Sequence, residues 1–587
     1  MDELVLSPDV TRRIAQDWLG AFAAALRDGT PDAVVAQFLP DGHWRDVLAF
    51  TWRIGTASGR EAIAAMLRGN LARTNPTGLH LPDRRSPPRR VRRAGVECIE
   101  TIFSFATAAG RGDAVARLAV DADGVWRCWT LVTTLEELRG FPEIAPQDVD
   151  DAERYSRDFG GENWLDQRKR AIAYEDRDPV TLVVGGGQAG LDVAARLNQL
   201  GIDTLIVDKH PRVGDNWRLR YHALTLHNEV HVNHMPYMPF PPTWPVFIPK
   251  DKLANWFEAY VEALELNYWT GTELIGGRYD DNAGHWVIQL RRDGQERVVR
   301  PRHVVFATGA SGIPINPDTP GLDSFKGEVM HSGAYTDGAK WKGRPAIVLG
   351  TGNSGHDVAQ DLCASGAHVT MVQRSPTYVV SLKEAQKVYA IYNEGIPFED
   401  CDLIATAMPY PVLRQAYQLS TAEMRNNDRD MLAGLAARGF KLTFGEDDTG
   451  FQMMYLRRGG GYYFNVGCSD MIIDGRIKLV QHDDVECFVS EGLKLKDGTV
   501  LPAELVVSAT GYRNQQDMVR AFLGDAVADR IGPVWGFDAG GELRNMWSRT
   551  RQPGLWFTAG SLAQCRIYSR YLAIQIKAIE EGMLSTH

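Results

Sequence analysis

One stretch of the sequence, PVTLVVGGGQAGLDVAARLNQLGIDTLIVDK at residues 179–209, constrains the fold more than any other. A short apolar run leads into the spacing GxGxxG at Gly185, Gly187 and Gly190, and apolar residues at helical spacing follow. A second apolar run then ends at Asp208, about 20 residues after the first glycine. This order predicts a βαβ unit in which the helix N-terminus faces a dinucleotide pyrophosphate and Asp208 binds a ribose.

A second unit of the same kind occurs at residues 344–376, in RPAIVLGTGNSGHDVAQDLCASGAHVTMVQRSP. The position that corresponds to the ribose acid of the first unit holds Gln373, followed by Arg374 and Ser375. An acid at this position would repel a 2′-phosphate, whereas the guanidinium of Arg374 can bind one, so the sequence favours NADPH. The neutral Gln373 leaves NADH acceptable. The predicted turn residues are Gly350, Gly352, Asn353, Ser354 and Gly355.

The cysteine and histidine patterns exclude other uses of two nucleotide sites. The seven cysteines form no CxxC pair and no metal-ligand spacing, which argues against a disulfide reductase and against zinc. Four histidines at 222, 227, 231 and 234 would need a helix to share a face, and their proline-rich surroundings do not predict one. We therefore predict no metal site.

The charge and hydropathy of the chain indicate its cellular location and the classes of partner that it can bind. The net charge is −10, and the one short basic stretch, PPRRVRR at 87–93, is typical of a solvated loop rather than a nucleic-acid site. No apolar run reaches 18 residues, and the start MDELVLSPDV lacks the features of a signal peptide. We expect a cytoplasmic protein with neither nucleic acid nor membrane as partner, and we leave a homodimer open.

The rest of the chain divides around the two glycine-rich units. Residues 1–142 carry helix patterns followed by strand patterns, as in α+β units, and FLPDGHWRDVLAFTW resembles NTF2/SnoaL-like cone domains. Within it, His43, Asp46 and Trp52 are candidates for a ligand site, with packing as the alternative. Residues 143–174 predict a linker with one charged helix.

The fold class predicted for the remainder is α/β, with two Rossmann-like domains, the second inserted in the first. The first domain is predicted to occupy residues 175–324 and 504–587. The second is predicted at 325–503, with a helical insert at 383–450 that covers a substrate pocket; a packing or dimer insert is the alternative.

The stretch FKGEVMHSGAYTD at 325–337 joins the two units. It matches the pattern FxGxxxHxxxY of flavin-containing monooxygenases at Phe325, Gly327, His331 and Tyr335. The stretch ends in Tyr335-Thr336-Asp337, whereas the corresponding stretch of Baeyer–Villiger monooxygenases ends in Trp-Pro. With this ending and its N-terminal extension, the chain is most similar to type II flavin-containing monooxygenases. The resemblance covers residues 180–587.

The resemblance implies FAD at the first turn and NADPH, with NADH as an alternative, at the second. The family places an Asn beside the flavin and nicotinamide, and this position corresponds to Asn228. An alignment shifted by one residue would place His227 there instead. The catalytic candidates are Asn228, His331, Tyr335 and Asp337, although His331 is as well explained by a structural role. The remaining cofactor-binding candidates are Gln188, Ala189, Lys209, Asn216, Trp217, His227, Thr308, Gly309, Thr510 and Gly511, the last four from FATG and SATGY motifs.

The activity implied is a monooxygenase that uses O2, NAD(P)H and a peroxyflavin to oxygenate a small organic substrate. Baeyer–Villiger oxidation of small ketones is the leading expectation. Oxygenation of sulfur or nitrogen in thioethers or amines, and an uncoupled NAD(P)H oxidase, remain alternatives.

Overall fold

The structure, a computed structural model, describes residues 7–144, 159–309 and 312–586. The start of the chain and residues 145–158 of the predicted linker lie outside the described residues. An α+β unit comes first, and its elements are α1 (Pro8–Asp28), α2 (Pro31–Val35), β1 (Phe38–Val47), β2 (Ile54–Ser58), α3 (Arg60–Thr74), β3 (Thr77–His80), β4 (Arg89–Arg93), β5 (Val96–Ala106), β6 (Gly110–Val120) and β7 (Trp126–Leu138).

The strands of this N-terminal unit form one sheet in the order β2-β1-β7-β6-β5-β3, with β4 also paired to β5. The helix α1 begins at a Ser7 cap and ends at Gly29, which has a positive φ. Its apolar face carries Trp18 and Phe22, whose rings stack 4.9 Å apart, and Phe22 also contacts the fully buried Trp44. The sheet and this helix therefore enclose an aromatic core of their own.

The first Rossmann-like sheet has the parallel order β12-β9-β8-β16-β27. Four of its five strands come early in the chain, and β27 arrives from near the C-terminus to pair with β16. The elements from α4 to β16 are α4 (Trp164–Ala173), β8 (Thr181–Val184), α5 (Gln188–Gln199), β9 (Thr204–Val207), α6 (Asp215–Arg218), β10 (Thr225–Glu229), β11 (Phe247–Pro249), α7 (Lys250–Ala263), β12 (Asn267–Trp269), β13 (Thr272–Asp280), β14 (His285–Arg292), β15 (Gln295–Val299) and β16 (His303–Phe306).

The second sheet, also parallel, has the order β17-β26-β18-β19-β22 and is inserted between β16 and β27. Its region contains β17 (Glu328–His331), β18 (Pro345–Leu349), α8 (Asn353–Ala364), β19 (His368–Gln373), β20 (Tyr378–Ser381), α9 (Leu382–Ala385), α10 (Phe398–Ala405), α11 (Tyr410–Asn427), α12 (Arg429–Ala437), α13 (Gly450–Arg458), β21 (Tyr462–Asn465), α14 (Cys468–Ile473), β22 (Lys478–Gln481), β23 (Val485–Val489), β24 (Gly492–Leu495), β25 (Val500–Pro502) and β26 (Leu505–Ser508). The last elements are α15 (Gln515–Leu523), α16 (Asp525–Ile531), β27 (Leu555–Phe557) and α17 (Leu562–Glu580).

The predicted α/β class with two Rossmann-like domains is confirmed, and one boundary shifts. The strand β26 pairs with both β17 and β18, so it is a central strand of the second sheet. The chain therefore leaves the second unit after Ser508, and the boundary predicted at 504 is too early. The SATGY motif spans this exit: its Ser is the last residue of β26.

The N-terminal unit shares a core with the rest of the chain. Leu403 and Ile404 of α10, with Tyr571 and Ile574 of α17, belong to the same buried cluster as the residues of its sheet. Among the described residues, no helix is both long enough and apolar enough to cross a membrane.

Candidate functional site

The first glycine turn connects β8 to α5. The helix has Gly187 as its N-cap, with no side chain bonded to its first-turn N–H groups. A Cβ at Gly185 would come within 2.6 Å of the Ala307 carbonyl oxygen, and a Cβ at Gly190 would clash with the Gly185 carbonyl oxygen. The close packing that the motif predicts is therefore present, and uncapped amides face the turn, as a pyrophosphate requires.

The carboxylate of Asp208 lies at the end of β9 beside this turn. It accepts hydrogen bonds from Gly186 N (2.7 Å), His210 N (2.9 Å) and His210 Nδ1 (2.7 Å). Although burial raises it, these hydrogen bonds hold the pKa of Asp208 below its ordinary value. The anion has acceptor capacity left for a ribose hydroxyl. The neighbouring Lys209 is exposed.

Trp217 and Gln188 form a second layer over the turn. Trp217 Nε1 donates to Gln188 Oε1 (3.2 Å), and Gln188 Nε2 donates to the Gly560 carbonyl oxygen (3.2 Å). The amide of Asn216 lies 2.8 Å from the place where a Cβ at Gly187 would stand. Ala189 is buried inside α5, so it can contribute only its backbone.

The FATG and SATGY segments are each held by hydrogen bonds to neighbouring segments. Gln515 Nε2 lies 3.5 Å from Thr308 Oγ1 and 3.4 Å from the Gly309 carbonyl oxygen, within reach of weak hydrogen bonds. Thr510 Oγ1 donates to the Ile315 carbonyl oxygen (2.5 Å). Gln515 was missed from the sequence because no motif marks it.

The second turn repeats the geometry of the first. The helix α8 has Gly352 as its N-cap, again without a side-chain cap, and a Cβ at Gly355 would clash with the Gly350 carbonyl oxygen. Asn353 Oδ1 accepts from Phe464 N (3.0 Å), which ties the turn to β21, and Ser354 is half-buried. These features fit a second dinucleotide.

The residues predicted to contact the nucleotide at the end of β19 have different surroundings. Gln373 is fully buried; its amide donates to the Lys441 carbonyl oxygen and accepts from Lys441 N, both at 2.8 Å. Its oxygen also accepts from Gln481 Nε2 (2.9 Å). Because these bonds occupy it, Gln373 holds the strand end in place rather than facing a ribose. Arg374 and Ser375 are exposed at this end.

The junction residue His331 ends β17 and has both ring nitrogens engaged. Nδ1 accepts from Gly333 N (3.1 Å), so Nε2 carries the proton and donates to the Gly511 carbonyl oxygen (3.1 Å). Burial lowers the pKa of His331, which keeps the ring neutral. These bonds connect the junction to the SATGY segment and leave no ring nitrogen free for proton transfer.

Tyr335 and Asp337 also serve the local structure. Tyr335 is buried, and its hydroxyl donates to Asp361 Oδ2 of α8 (2.6 Å). Asp337 Oδ1 accepts from Ala339 N (3.0 Å) in an exposed turn. No hydrogen bond between described residues joins either of them, or His331, to Asn228. The four catalytic candidates therefore do not form one constellation.

The neighbours His227 and Asn228 lie on β10, where successive side chains point to opposite faces. The ring of His227 packs edge-on to Phe464 with centroids 5.4 Å apart, and burial lowers its pKa. Asn228 Nδ2 donates to Tyr389 Oη (3.1 Å). Gln386 fixes this strand, because its Nε2 donates to the His227 carbonyl oxygen (2.8 Å).

Tyr389 lines a cavity of about 1080 Å³. Tyr455 of α13 and Gln564 of the first turn of α17 also line this cavity. The Tyr455 hydroxyl donates to Gln564 Oε1 (2.8 Å). The helical insert contributes Val388 and Leu413 among others. Tyr389 and Gln386 escaped the sequence reading because the insert carries no motif, and Tyr389 is 161 residues from its partner Asn228.

Two further candidates from the N-terminal unit have clear positions. Asp46 is buried and accepts from Thr51 Oγ1 (2.7 Å) and Thr133 Oγ1 (2.8 Å), so it closes a turn of its own unit. Trp52 lines the shared cavity. Within the described part of the chain, no group of three or more His, Cys, Asp or Glu side chains could hold a metal ion.

Residues 182–391 match the family model described as pyridine nucleotide-disulphide oxidoreductase. Among solved structures, cyclohexanone monooxygenase in its rotated, cyclohexanone-bound conformation is similar, with a TM-score of 0.52 and 18% identity over 69% of this chain and 88% of that one. The NADP+-bound cyclohexanone monooxygenase from Rhodococcus sp. Phi1 gives a TM-score of 0.50 at 18% identity, with 69% and 85% covered. At these identities the likeness concerns the fold alone.

Sequence relatives support the assignment of the chain to a family. Indole-3-pyruvate monooxygenase YUCCA1 of Oryza sativa subsp. japonica is 30% identical over 350 residues, which cover 59% of this chain and 79% of the rice protein. Probable indole-3-pyruvate monooxygenase YUCCA10 of Arabidopsis thaliana is 32% identical over 234 residues, covering 39% and 61%. With both glycine turns and the junction in place, the chain belongs to the flavin-containing monooxygenase family.

Proposed function

We propose that this chain is an FAD- and NAD(P)H-dependent Baeyer–Villiger monooxygenase that acts on ketones. The balanced reaction is ketone plus O2, NADPH and a proton giving ester, NADP+ and water. The observation that carries the proposal is the hydrogen bond from Asn228 to Tyr389, a residue that lines a large cavity in a fold with two dinucleotide turns. The name of the rice relative, whose substrate is a carbonyl compound, favours a ketone over a heteroatom.

The uncapped amides of α5 and the carboxylate of Asp208 would hold FAD, and those of α8, with Arg374, would hold NADPH. When bound, the two cofactors supply hydride transfer and the reduction of O2. The chain itself positions the reactants and excludes water. Asn228 suits a place beside the reacting atoms, because a neutral amide donates a hydrogen bond without giving up a proton.

The exposed Arg374 is assigned to the 2′-phosphate of NADPH. We expect Arg374→Ala to raise the KM for NADPH by roughly tenfold or more, since a hydrogen bond to a charged group contributes about 1.5–3 kcal/mol. The KM for NADH, which lacks the phosphate, should change little. Steady-state kinetics with both nucleotides provides the check, and an equal rise for both would refute the assignment.

Asn228 is assigned to the oxygenation step. We expect Asn228→Ala to divert NADPH oxidation towards hydrogen peroxide, because a donor at the reacting oxygen atoms is lost. The ratio of ester formed to NADPH consumed measures this. The same ratio measured for His227→Ala decides between the two neighbouring residues. A lower ratio in His227→Ala, with an unchanged ratio in Asn228→Ala, would assign the oxygenation role to His227.

We also propose a fold family for the N-terminal unit and a location for the protein. We assign residues 1–142 to an NTF2/SnoaL-like domain, supported by a seven-stranded sheet that α1 and α3 contact. We place the protein in the cytoplasm and leave monomer and homodimer open.

Product analysis tests the reaction class. Purified holoenzyme with NADPH and air should convert cyclobutanone to its lactone with less hydrogen peroxide than lactone. Oxidation of methyl phenyl sulfide without any lactone would favour the heteroatom alternative. NADPH consumption with hydrogen peroxide as the sole product from both compounds would favour an oxidase.

A further inference from the structure

The cavity beside Tyr389 has a wall that neither Rossmann-like unit supplies. Residues from the N-terminal unit and from the segments 387–420, 452–456 and 531–586 line its volume of about 1080 Å³. Pockets for drug-sized ligands measure about 300–1,000 Å³, so this one stands at the upper end of the range. A small cyclic ketone would leave most of it unfilled.

Trp52 and Ile54 form the apolar part of the N-terminal wall. Trp52 is half-buried, and its backbone carbonyl lies 3.4 Å from Arg549 Nη2 of the C-terminal segment, at the long end of the hydrogen-bond range. Ile54 begins β2 and packs against both the N-terminal core and the core of the first Rossmann-like unit. These two side chains therefore lie where the units meet.

The wall is held in place by a buried ion pair. Arg45 Nε and Nη2 donate to the two carboxylate oxygens of Glu542, at 2.8 and 2.7 Å. Thr56 Oγ1 of β2 donates to the same carboxylate (3.0 Å). Both charged side chains are largely buried, at 9% and 12% exposure. Because Glu542 comes from the C-terminal segment, the N-terminal wall has a fixed position relative to the cavity.

The facing walls are rich in aromatic rings. Tyr568 stacks on Trp547 with centroids 4.3 Å apart, and Tyr417 and Phe537 also line the cavity. Arg45 and Glu542 satisfy each other, and the ring faces and branched aliphatic groups form an apolar part of the contact surface, beside other charged side chains such as Arg53 and Arg549. Such surfaces bind planar or cyclic apolar groups.

We propose that the N-terminal unit determines substrate specificity: Trp52 and Ile54 form the distal wall of the oxygenation cavity, which accepts ketones carrying a bulky, apolar ring substituent. The inference deepens the proposed function and rests on it for the site of reaction. It assigns to residues 7–142 a direct contact with substrate, in addition to packing.

The test uses holoenzyme and two probes, 4-phenylcyclohexanone and cyclobutanone. We expect Ile54→Trp, which fills the distal end, to lower kcat/KM for the bulky ketone by roughly tenfold or more, a typical effect of small changes in pocket shape, and to spare cyclobutanone. Val125→Trp is the matched control, since Val125 lies on the same unit, outside the cavity, at 46% exposure.

A second variant and a binding readout keep the test independent of folding and of turnover. Trp52→Ala should raise the KM for the bulky ketone and leave kcat almost unchanged. In the oxidised wild-type holoenzyme, 4-phenylcyclohexanone should raise Tm, and Ile54→Trp should abolish that rise.

Equal effects on both ketones in Trp52→Ala, or an unaltered Tm rise in Ile54→Trp, would overturn the wall assignment. A Tm rise that Ile54→Trp abolishes, without any oxygenated product from wild type, would support the wall and contradict the proposed function.

Discussion

Gly352→Val is expected to abolish NADPH oxidation while the purified protein keeps its fold and its flavin. Gly352 has φ of −81°, which any residue adopts, and a Cβ there would meet no protein atom nearer than the Tyr462 carbonyl oxygen at 3.9 Å. A valine side chain is therefore tolerated by the chain itself. It would occupy the space through which a pyrophosphate approaches the α8 N-terminus.

We expect the KM for NADPH to rise at least a hundredfold, which corresponds to about 2.8 kcal/mol. The ratio of flavin to protein absorbance and the Tm report on the first site and on folding. The control is Gly20→Val, because Gly20 also has open space around it and lies on α1, away from both turns. Normal NADPH kinetics in Gly352→Val would mean that the second turn does not hold the nucleotide.

Glu542→Leu is expected to lower the free energy of unfolding by about 3 kcal/mol. The substitution leaves the guanidinium of Arg45 buried without its carboxylate, because the other partners of Arg45 are the Thr406 carbonyl oxygen (2.7 Å) and Tyr568 Oη (3.2 Å). Neither of these neutral groups can compensate the charge. Denaturant unfolding of the holoenzyme measures the change.

The double variant Arg45→Met, Glu542→Leu is expected to recover most of that loss, since an apolar pair of similar size removes the unpaired charge. The matched surface control is Lys494→Met, which breaks the exposed ion pair with Glu486 (3.0 Å) and should cost less than about 0.5 kcal/mol. If Glu542→Leu proved as mild as that control, the ion pair would not join the N-terminal unit to the rest.

The parts of the fold that the sequence predicted are those encoded locally. Each glycine turn carries its strand, helix and next strand within about 30 residues, and both sheets follow from those signals. The boundary at 504 was wrong because Leu505–Ser508 reads as an apolar strand in either sheet, and only the pairing with β17 and β18 decides between them.

The parts that were not predictable depend on contacts between distant residues. Arg45 and Glu542 are 497 positions apart, and no sequence pattern links them. Gln373 was assigned to the nucleotide by its place in the second unit, whereas the backbone of Lys441, in a region without sequence signals, takes up its amide. Trp52 and the helical insert were candidates for a ligand site and a pocket cover, but their meeting in one cavity was not predictable, because several segments far apart in the sequence build it.

The central claim is that electrons from NADPH place one atom of O2 in a ketone. Holoenzyme supplied with NADPH, cyclobutanone and isotopically labelled O2 tests it by mass spectrometry of the product. We expect one labelled oxygen atom in each lactone molecule and one lactone for each NADPH consumed. Consumption of NADPH with an equal amount of labelled hydrogen peroxide, and no label in any organic product, would contradict it.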